Sequence, residues 1–153
     1  MINSGSEIFL KENERIDDLN FDGYRIIQDR NKFCFGIDSV ILANFVQVRQ
    51  SDFLIDLGCG NGVICLLLAA KKNPAKIIGL EIQKECVDIA KRNVLLNGLS
   101  DRVEIICGDL KNVTDIVKRK FDAVVTNPPY INSGMINENE SKAVARHEIL
   151  CTT

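Results

Sequence analysis

One stretch decides the fold: Asp56-Leu57-Gly58-Cys59-Gly60-Asn61-Gly62. It continues a short apolar run at residues 53–57, which predicts a buried strand. It leads into residues 62–72, which are apolar almost all round and predict a buried helix. Glycines at alternating positions allow positive φ and let a ligand approach the backbone closely. The stretch therefore predicts a strand, a ligand-binding turn and a helix in succession.

Beyond this turn the chain keeps alternating between apolar runs and helical segments. Strands are predicted at residues 53–57, 76–81, 102–107 and 121–126, and helices at residues 62–72, 84–97 and 113–118. Such alternation with short linkers indicates βαβ units, a parallel sheet and right-handed crossovers. We therefore expect an α/β fold with about four parallel strands flanked by helices. Its ligand should bind beyond the carboxyl ends of the strands.

The first 50 residues carry a different pattern and are predicted to form an extension that packs on a core made by residues 51–153. Residues 1–20 are polar and charged, which predicts a loose arm. Strand-like runs at residues 24–28 and 32–35, on either side of a turn, predict a hairpin. The extension is thus expected to contain an arm, a hairpin and a helix.

Two helices are predicted to be amphipathic. The helix of the extension is expected to begin with Asp38 or Ser39 as its cap. Its apolar face is predicted to comprise Ile37, Ile41, Phe45 and Val48. The helix at residues 84–97 is expected to turn inward Val87, Ala90, Val94 and Leu95.

Length and composition exclude several classes of protein. A chain of 153 residues with 46% hydrophobic and 26% charged residues is typical of one folded domain. The N-terminus has neither the basic nor the apolar region of a signal peptide, and no run is long enough to span a bilayer. We therefore expect a cytoplasmic protein without a membrane partner. The net charge of −2 gives no overall basic signal for nucleic acid.

The cysteines argue against a metal site. Six cysteines contain no C-x-x-C pair, and the single histidine, His147, leaves few nitrogen ligands. Without a secretion signal the cysteines are expected to stay reduced. We predict that the protein needs neither a bound metal nor a disulfide.

Two acidic residues distinguish between candidate cofactors. Glu81 ends the second predicted strand, where a carboxylate accepts hydrogen bonds from both ribose hydroxyls of a nucleoside cofactor. A nicotinamide enzyme would share Glu81, but it would not need Asp56, and the last glycine of the dinucleotide pattern is replaced by Val63. S-adenosylmethionine has no phosphate, and its ammonium suits a carboxylate such as Asp56 and the loop carbonyls. The pattern favours S-adenosylmethionine, with a nicotinamide cofactor as the alternative.

Residues after the second and third strands add to this candidate site. Gly108-Asp109-Leu110 follows the third predicted strand, and Asp109 could accept a hydrogen bond from the cofactor's adenine amino group. Asp109 is also a good helix N-cap, and both roles can hold at once. Ile82 follows Glu81 and either packs on the adenine face or belongs to the core.

The turn Asn127-Pro128-Pro129-Tyr130 follows the fourth predicted strand. Two prolines fix the backbone, which suits either a rigid strand exit or a catalytic turn. An exocyclic amino nitrogen is a poor nucleophile because its lone pair is delocalised. The side-chain oxygen of Asn127 and the carbonyl of Pro128 could accept its two hydrogens, and Tyr130 could stack on the planar substrate. The turn therefore predicts catalysis by positioning an amino group for methyl transfer.

The glycine stretch and the N-P-P-Y turn together resemble the motifs of class I methyltransferases. Four further strings resemble the bacterial family that methylates an adenosine beside the anticodon of a valine tRNA: Arg15-Ile16-Asp17-Asp18-Leu19, Ile26-Ile27-Gln28, Phe33-Cys34-Phe35-Gly36-Ile37-Asp38 and Ala145-Arg146-His147-Glu148. The resemblance implies a Rossmann-like fold, S-adenosylmethionine as cofactor and the exocyclic amino group of adenine in tRNA as acceptor. It also implies that Phe35, Gly36 and Asp38 line the cofactor pocket, with a helix cap as the alternative for Asp38.

The predicted catalytic residues are thus Asn127, Pro128 and Tyr130. The residues predicted to contact the cofactor are Phe35, Gly36, Asp38, Asp56, Gly58, Cys59, Gly60, Asn61, Gly62, Glu81, Ile82, Gly108, Asp109, Leu110 and Asn127.

Two other functions remain open. Protein glutamine N5-methyltransferases share the N-P-P-Y signature, but they usually carry a helical domain for which the first 50 residues are too short and too strand-like. The other is a cofactor-binding fragment without turnover, because the family fold continues for three strands beyond Thr153. We expect a helix at residues 141–150, weak or absent methyl transfer by the 153 residues alone, and self-association through the uncovered edge of the fourth strand.

Overall fold

The computed structural model describes residues 10–32 and 34–128. Its elements in chain order are β1 Glu14–Asp18, β2 Arg25–Asp29, α1 Ile37–Phe45, β3 Phe53–Leu57, α2 Val63–Lys72, β4 Lys76–Glu81, α3 Lys84–Leu96, β5 Val103–Cys107, α4 Val113–Ile116 and β6 Ala123–Thr126. A 3-10 turn at Leu110–Asn112 precedes α4. Strands β3 to β6 form one parallel sheet in the order β5-β4-β3-β6, and β1 pairs with β2 separately. The predicted α/β fold with four parallel strands is confirmed.

The centre of the molecule is built by β3, β4 and α2. Both strands are almost entirely buried, as expected for central strands of a parallel sheet that is covered on both faces. In α2, the seven consecutive residues from Val63 to Ala69 are buried, which confirms the helix predicted to be apolar all round. The limits of the elements predicted from residue 53 to residue 128 agree with the structure to within two residues.

The N-terminal hairpin differs from the prediction. Residues 14–18 are not part of a loose arm but form β1, which pairs antiparallel with β2 from Glu14 opposite Asp29 to Asp18 opposite Arg25. The strand predicted at residues 32–35 is wrong for the three residues described there, because the chain turns at Asp29 and does not return along β2. Strand β1 was not predicted because its residues are mostly polar. It is held by main-chain pairing with β2 and has no apolar face that a sequence pattern would show.

The apolar face predicted for α1 is also wrong. Ile37, Ile41 and Phe45 are between 60% and 78% exposed, and Val48 lies beyond the end of the helix. The buried residues of α1 are small, Ser39 and Ala43, because the helix packs closely against α2. The predicted cap is wrong as well: α1 begins at Ile37 with Gly36 as its N-cap, and Asp38 lies in the first turn.

Helix α3 follows its prediction with one exception. Val87, Ala90 and Val94 are buried as expected, but Leu95 is half exposed. Leu95 lies well off the stripe defined by the other three, because each residue of a helix turns by about 100°. Asn93, which was not predicted to face inward, is buried on this helix.

Strand β6 lies at one edge of the sheet. It pairs with β3, and within the described residues it has no partner on its other side. Asp122 closes the start of β6: its N–H donates to the Phe53 carbonyl, and its carboxylate accepts the Phe53 N–H at 2.8 Å. Val124 is exposed. The helix predicted at residues 141–150 lies outside the described residues. No helix in the described ranges is long and apolar enough to cross a membrane.

Candidate functional site

The carboxyl ends of the four parallel strands meet at one edge of the sheet. Leu57 of β3 lies beside both Leu80 of β4 and Thr126 of β6, and Glu81 lies beside Cys107 of β5. The segments that follow these strands therefore converge. A mainly apolar cavity opens between them and extends to the turn after β2 and the start of α1. Ligands of parallel α/β sheets bind at such an edge.

The glycine loop, residues 58–62, forms one wall of the cavity. All three of its glycines have positive φ, between +55° and +84°, which the alternating pattern predicted. The N–H of Gly58 donates to the Leu80 carbonyl at 2.8 Å and ties the loop to β4. A Cβ atom on Gly62 would lie 3.3 Å from the Cβ of Ala90. The loop therefore sits close against α3 at this glycine.

Glu81 is buried and still faces the cavity. Its Oε2 accepts the N–H of Gly60 at 2.8 Å, and its Oε1 accepts the N–H of Gln83 at 2.9 Å. These two bonds fix the plane of the carboxylate, and each oxygen retains a lone pair for a further donor. The residue thus has the geometry to accept two adjacent hydroxyl groups.

Asp56 lies beneath the glycine loop and not in the cavity wall. It is fully buried, and its Oδ2 accepts the thiol of Cys65 at 3.5 Å. Its Oδ1 has no hydrogen-bond partner among the described residues. Burial, with a smaller contribution from the charge of Glu81, raises the pKa of Asp56 to about 7, although the bond from Cys65 opposes the shift.

The far wall of the cavity follows β4 and β5. Asp109 caps the 3-10 turn, because its Oδ1 accepts the N–H of Lys111 at 2.9 Å, which confirms the predicted capping role. Its Oδ2 takes no hydrogen bond from the part of the chain that the structure describes. Ile82 is 44% exposed and lines the cavity, so it does not belong to the core. Phe35 contributes apolar surface to the same cavity.

The turn after β6 brings Asn127 and Pro128 to the same cavity. The side-chain Nδ2 of Asn127 donates to Oγ of Ser39 at 3.4 Å. Ser39 is buried in the first turn of α1 and also lines the cavity. The hydrogen bond orients the amide and leaves Oδ1 of Asn127 available as an acceptor. Tyr130, the third predicted catalytic residue, lies outside the described residues.

A profile of the family described as "Methyltransferase small domain" matches residues 24–149, which include the glycine loop and the turn after β6. The chain belongs to the methyltransferase small domain family. The resemblance to methyltransferases predicted from the motifs is thereby confirmed.

Two curated relatives of this methyltransferase small domain carry the same name, tRNA1(Val) (adenine(37)-N6)-methyltransferase. The protein from Yersinia enterocolitica is 28% identical over 148 residues, covering 96% of this chain and 59% of the relative. The protein from Bacteroides thetaiotaomicron is 30% identical over 128 residues, covering 83% of this chain and 53% of the relative. The chain thus spans little more than half the length of the relatives that it matches.

A solved structure shares the fold. The tRNA m1G37 methyltransferase of M. jannaschii superposes with a TM-score of 0.63 and 24% sequence identity, covering 78% of this chain and 36% of the other. At this level of identity the likeness establishes the Rossmann-like fold of the methyltransferase small domain and nothing more specific.

The cavity of the methyltransferase small domain gathers most of the predicted site. The predicted residues that line it are Phe35, Gly58, Cys59, Gly60, Asn61, Glu81, Ile82, Gly108, Asp109, Leu110, Asn127 and Pro128. Gly36, Asp38, Asp56 and Gly62 lie outside its wall. Asp56 is buried beneath the loop, and Gly62, the last residue of the loop, is buried against α3. Asp38 turns an oxygen toward Gly36, 2.9 Å from where a Cβ of Gly36 would be. A direct contact of these four residues with a cofactor stays a prediction.

Several cavity residues of the methyltransferase small domain were not predicted as site residues. They include Ser39, Gln83, Cys86 and Ile89. For two of them the sequence carried a signal. Gln83 comes shortly after a predicted strand end, where ligand-binding residues are expected, and Ser39 was predicted as a possible helix cap but not as a site residue. Burial raises the pKa of Cys86 to about 12, so its thiol stays neutral and is a poor nucleophile. Within the described ranges no group of three or more His, Cys, Asp or Glu residues is placed to hold a metal.

Proposed function

We propose that this chain is the cofactor-binding part of an S-adenosylmethionine-dependent enzyme that methylates the exocyclic amino group of adenine in tRNA. One observation carries the proposal: the Glu81 carboxylate at the end of β4 and the Asn127-Pro128 turn after β6 face one cavity from strands on either side of β3. The Glu81 carboxylate suits the ribose of a nucleoside cofactor, and the Asn127-Pro128 turn suits the amino group of a substrate bound beside that cofactor. A tRNA substrate also implies a cytoplasmic location.

The cavity residues fit S-adenosylmethionine group by group. Glu81 has one lone pair on each oxygen for the two ribose hydroxyls. Ile82 and Phe35 offer apolar surface to the adenine ring, and Oδ2 of Asp109 offers an acceptor for its amino group. The glycine loop allows close approach of the methionine end. Bound there, the sulfonium cofactor supplies an electrophilic methyl group.

Asn127 and Pro128 would prepare the acceptor. The bond from Asn127 Nδ2 to Ser39 leaves Oδ1 to accept one hydrogen of the substrate amino group, and the Pro128 carbonyl accepts the other. Drawing both hydrogens to acceptors favours a tetrahedral nitrogen, whose lone pair then points at the methyl carbon. This is catalysis by orientation and requires no metal. Stacking of Tyr130 on the adenine stays a prediction.

The names of the two relatives support adenine in tRNA as the acceptor. A protein glutamine N5-methyltransferase would use the same turn, but neither relative carries that name. The deciding experiment is mass spectrometry of nucleosides from bulk tRNA that has been incubated with the full-length protein and labelled S-adenosylmethionine. We expect labelled N6-methyladenosine. The absence of label from tRNA would refute adenine in tRNA as the acceptor.

Replacement of Glu81 by alanine should weaken binding of S-adenosylmethionine by roughly 1–3 kcal/mol, because a charge-assisted pair of hydrogen bonds is lost. Titration calorimetry on the wild-type chain and the variant measures this difference. Glu85→Ala is the matched control, since Glu85 carries the same charge in the first turn of α3 but does not line the cavity. Saturable binding of NAD, with no response to S-adenosylmethionine, would refute the cofactor assignment.

We also propose that the 153-residue chain self-associates through β6. Its outer edge has no partner among the described residues, Val124 is exposed, and unprotected apolar edges pair with other chains. Sedimentation velocity should show a sedimentation coefficient that rises with protein concentration. Val124→Lys should suppress this rise, whereas Leu95→Lys, at an exposed apolar position of α3, should not. A wild-type chain that stays monomeric at high concentration contradicts the proposal.

A further inference from the structure

The outer edge of β2 is completed by side chains and not by a third strand. The N–H and C=O of Ile27 bond to the side-chain amide of Asn93 at 2.6 and 3.1 Å. Those of Arg25 bond to the side-chain amide of Asn97 at 2.9 and 2.7 Å. A primary amide offers the same donor and acceptor pair as a peptide group. The two asparagines therefore make the hydrogen bonds that a neighbouring strand would otherwise make with this edge of β2.

The spacing explains why a helix can take this role. Asn93 lies in the last turn of α3, and Asn97 is the C-cap of the helix, four residues further on. Both therefore lie on one side of the helix, with a rise of about 6 Å between them. Arg25 and Ile27 are two residues apart on the same edge of β2, a distance of about 7 Å. The distance between the two asparagines thus matches the distance between the two strand residues, and α3 docks on the hairpin through two amide pairs.

Asn93 also reaches the glycine loop. Its Nδ2 donates a second hydrogen bond, 2.9 Å long, to the backbone carbonyl of Asn61. Asn93 is completely buried, and both of its N–H groups are used. Asn61 lies between Gly60 and Gly62, which both have positive φ. Two side chains therefore hold the backbone of the loop: Asn93 donates to the Asn61 carbonyl, and Glu81 accepts the Gly60 N–H.

We propose that Asn93 is a positioning residue that sets the conformation of the glycine loop for the cofactor and links the loop to the N-terminal hairpin. The proposal rests on the function proposed above, since it concerns the same cofactor site. Three hydrogen bonds to two separate segments converge on this buried side chain, and Asn97, one turn away, contacts the hairpin without contacting the loop. A comparison of Asn93 with Asn97 therefore distinguishes docking of the hairpin, to which both contribute, from positioning of the loop, to which only Asn93 contributes.

The comparison of Asn93→Ala with Asn97→Ala tests the assignment. Both variants lose one amide pair to β2, so both should unfold at a lower urea concentration than the wild type. The dissociation constant of S-adenosylmethionine should rise about tenfold in Asn93→Ala and stay within about twofold of the wild type in Asn97→Ala. Equal affinities in the two variants would overturn the proposal. Failure of the wild-type chain itself to bind would instead refute the proposed function.

A second measurement needs no substitution and covers the case in which Asn93→Ala does not fold. Coupling between two sites is reciprocal, so a cofactor bound at the loop should stabilise the bonds that Asn93 makes to β2. Hydrogen exchange of the wild-type chain should slow more at the Ile27 amide than at the Arg25 amide when S-adenosylmethionine is added. The same protection at both amides, or none at either with the cofactor bound, would contradict the link.

Discussion

Asn127→Ala in the full-length protein is expected to lower the rate of methyl transfer by roughly a hundredfold to a thousandfold, the usual cost of losing one preorganised group in a transition state. The affinity for S-adenosylmethionine should change little. The reason is the position of Asn127: its amide is anchored on Ser39, and its Oδ1 is left for the substrate amino group. Single-turnover methylation of tRNA gives the rate, and calorimetry gives the cofactor affinity.

Two further variants separate this role from a structural one. Ser39→Ala removes the anchor but keeps the acceptor, so it should reduce the rate by much less than Asn127→Ala does. Asn44→Ala is the control, because Asn44 is an exposed asparagine of α1 whose side chain bonds only to Lys71 among the described residues. If Asn127→Ala methylates tRNA at the wild-type rate, the role assigned to the side chain is wrong.

The sheet could be predicted from the sequence because its signals are local. The strands β3 and β4 are continuous apolar runs, and glycines or polar residues mark where they end. Parallel register then brings those ends together, which is why Glu81, Asp109 and Asn127 share one cavity. Right-handed crossovers and the tendency of consecutive strands to lie side by side reduce the possible strand orders to a few, and the order β5-β4-β3-β6 is among those that such rules allow.

The hairpin could not be predicted in the same way because its partners are distant in sequence. Strand β1 is polar, and an ion pair holds its first residue: Glu14 is bound by Arg92 of α3, 78 residues away. The exposed apolar face of α1 misled the prediction for a similar reason. Periodicity identifies a face, but only tertiary packing decides whether Ser39 and Ala43 or the larger side chains turn inward.

The site shows the same division between local and tertiary signals. Loop residues were predicted because they follow strand ends. Asn93 lies inside a helix, and its role depends on contacts with two other segments. For Asp56 the sequence pattern predicted its place just before the glycine loop, but not how deeply its side chain is buried. The carboxylate was expected beside the cofactor, and the structure places it under the loop without exposure to the cavity.

The depth of Asp56 makes the stability of the fold depend on pH. No cation among the described residues pairs with its carboxylate, and burial raises its pKa to about 7. In the unfolded chain an aspartate has a pKa near 4, so between these values the folded protein keeps a proton that the unfolded chain releases. This contribution to the free energy of unfolding is complete below about pH 4 and is lost as the pH rises through 7.

Asp56→Asn should remove that dependence. The neutral amide costs no ionisation, so the variant should be more stable than the wild type at pH 8, and the advantage should shrink by roughly 2–3 kcal/mol between pH 8 and pH 5. Urea unfolding at several pH values measures the difference directly. Asp101→Asn, at an exposed position before β5, should run parallel to the wild type. A constant difference between Asp56→Asn and the wild type over this range would mean that Asp56 is already ionised at pH 5. A buried carboxylate that is ionised at pH 5 needs a cationic partner. The predicted contact with the cofactor's ammonium group could be that partner only when the cofactor is bound.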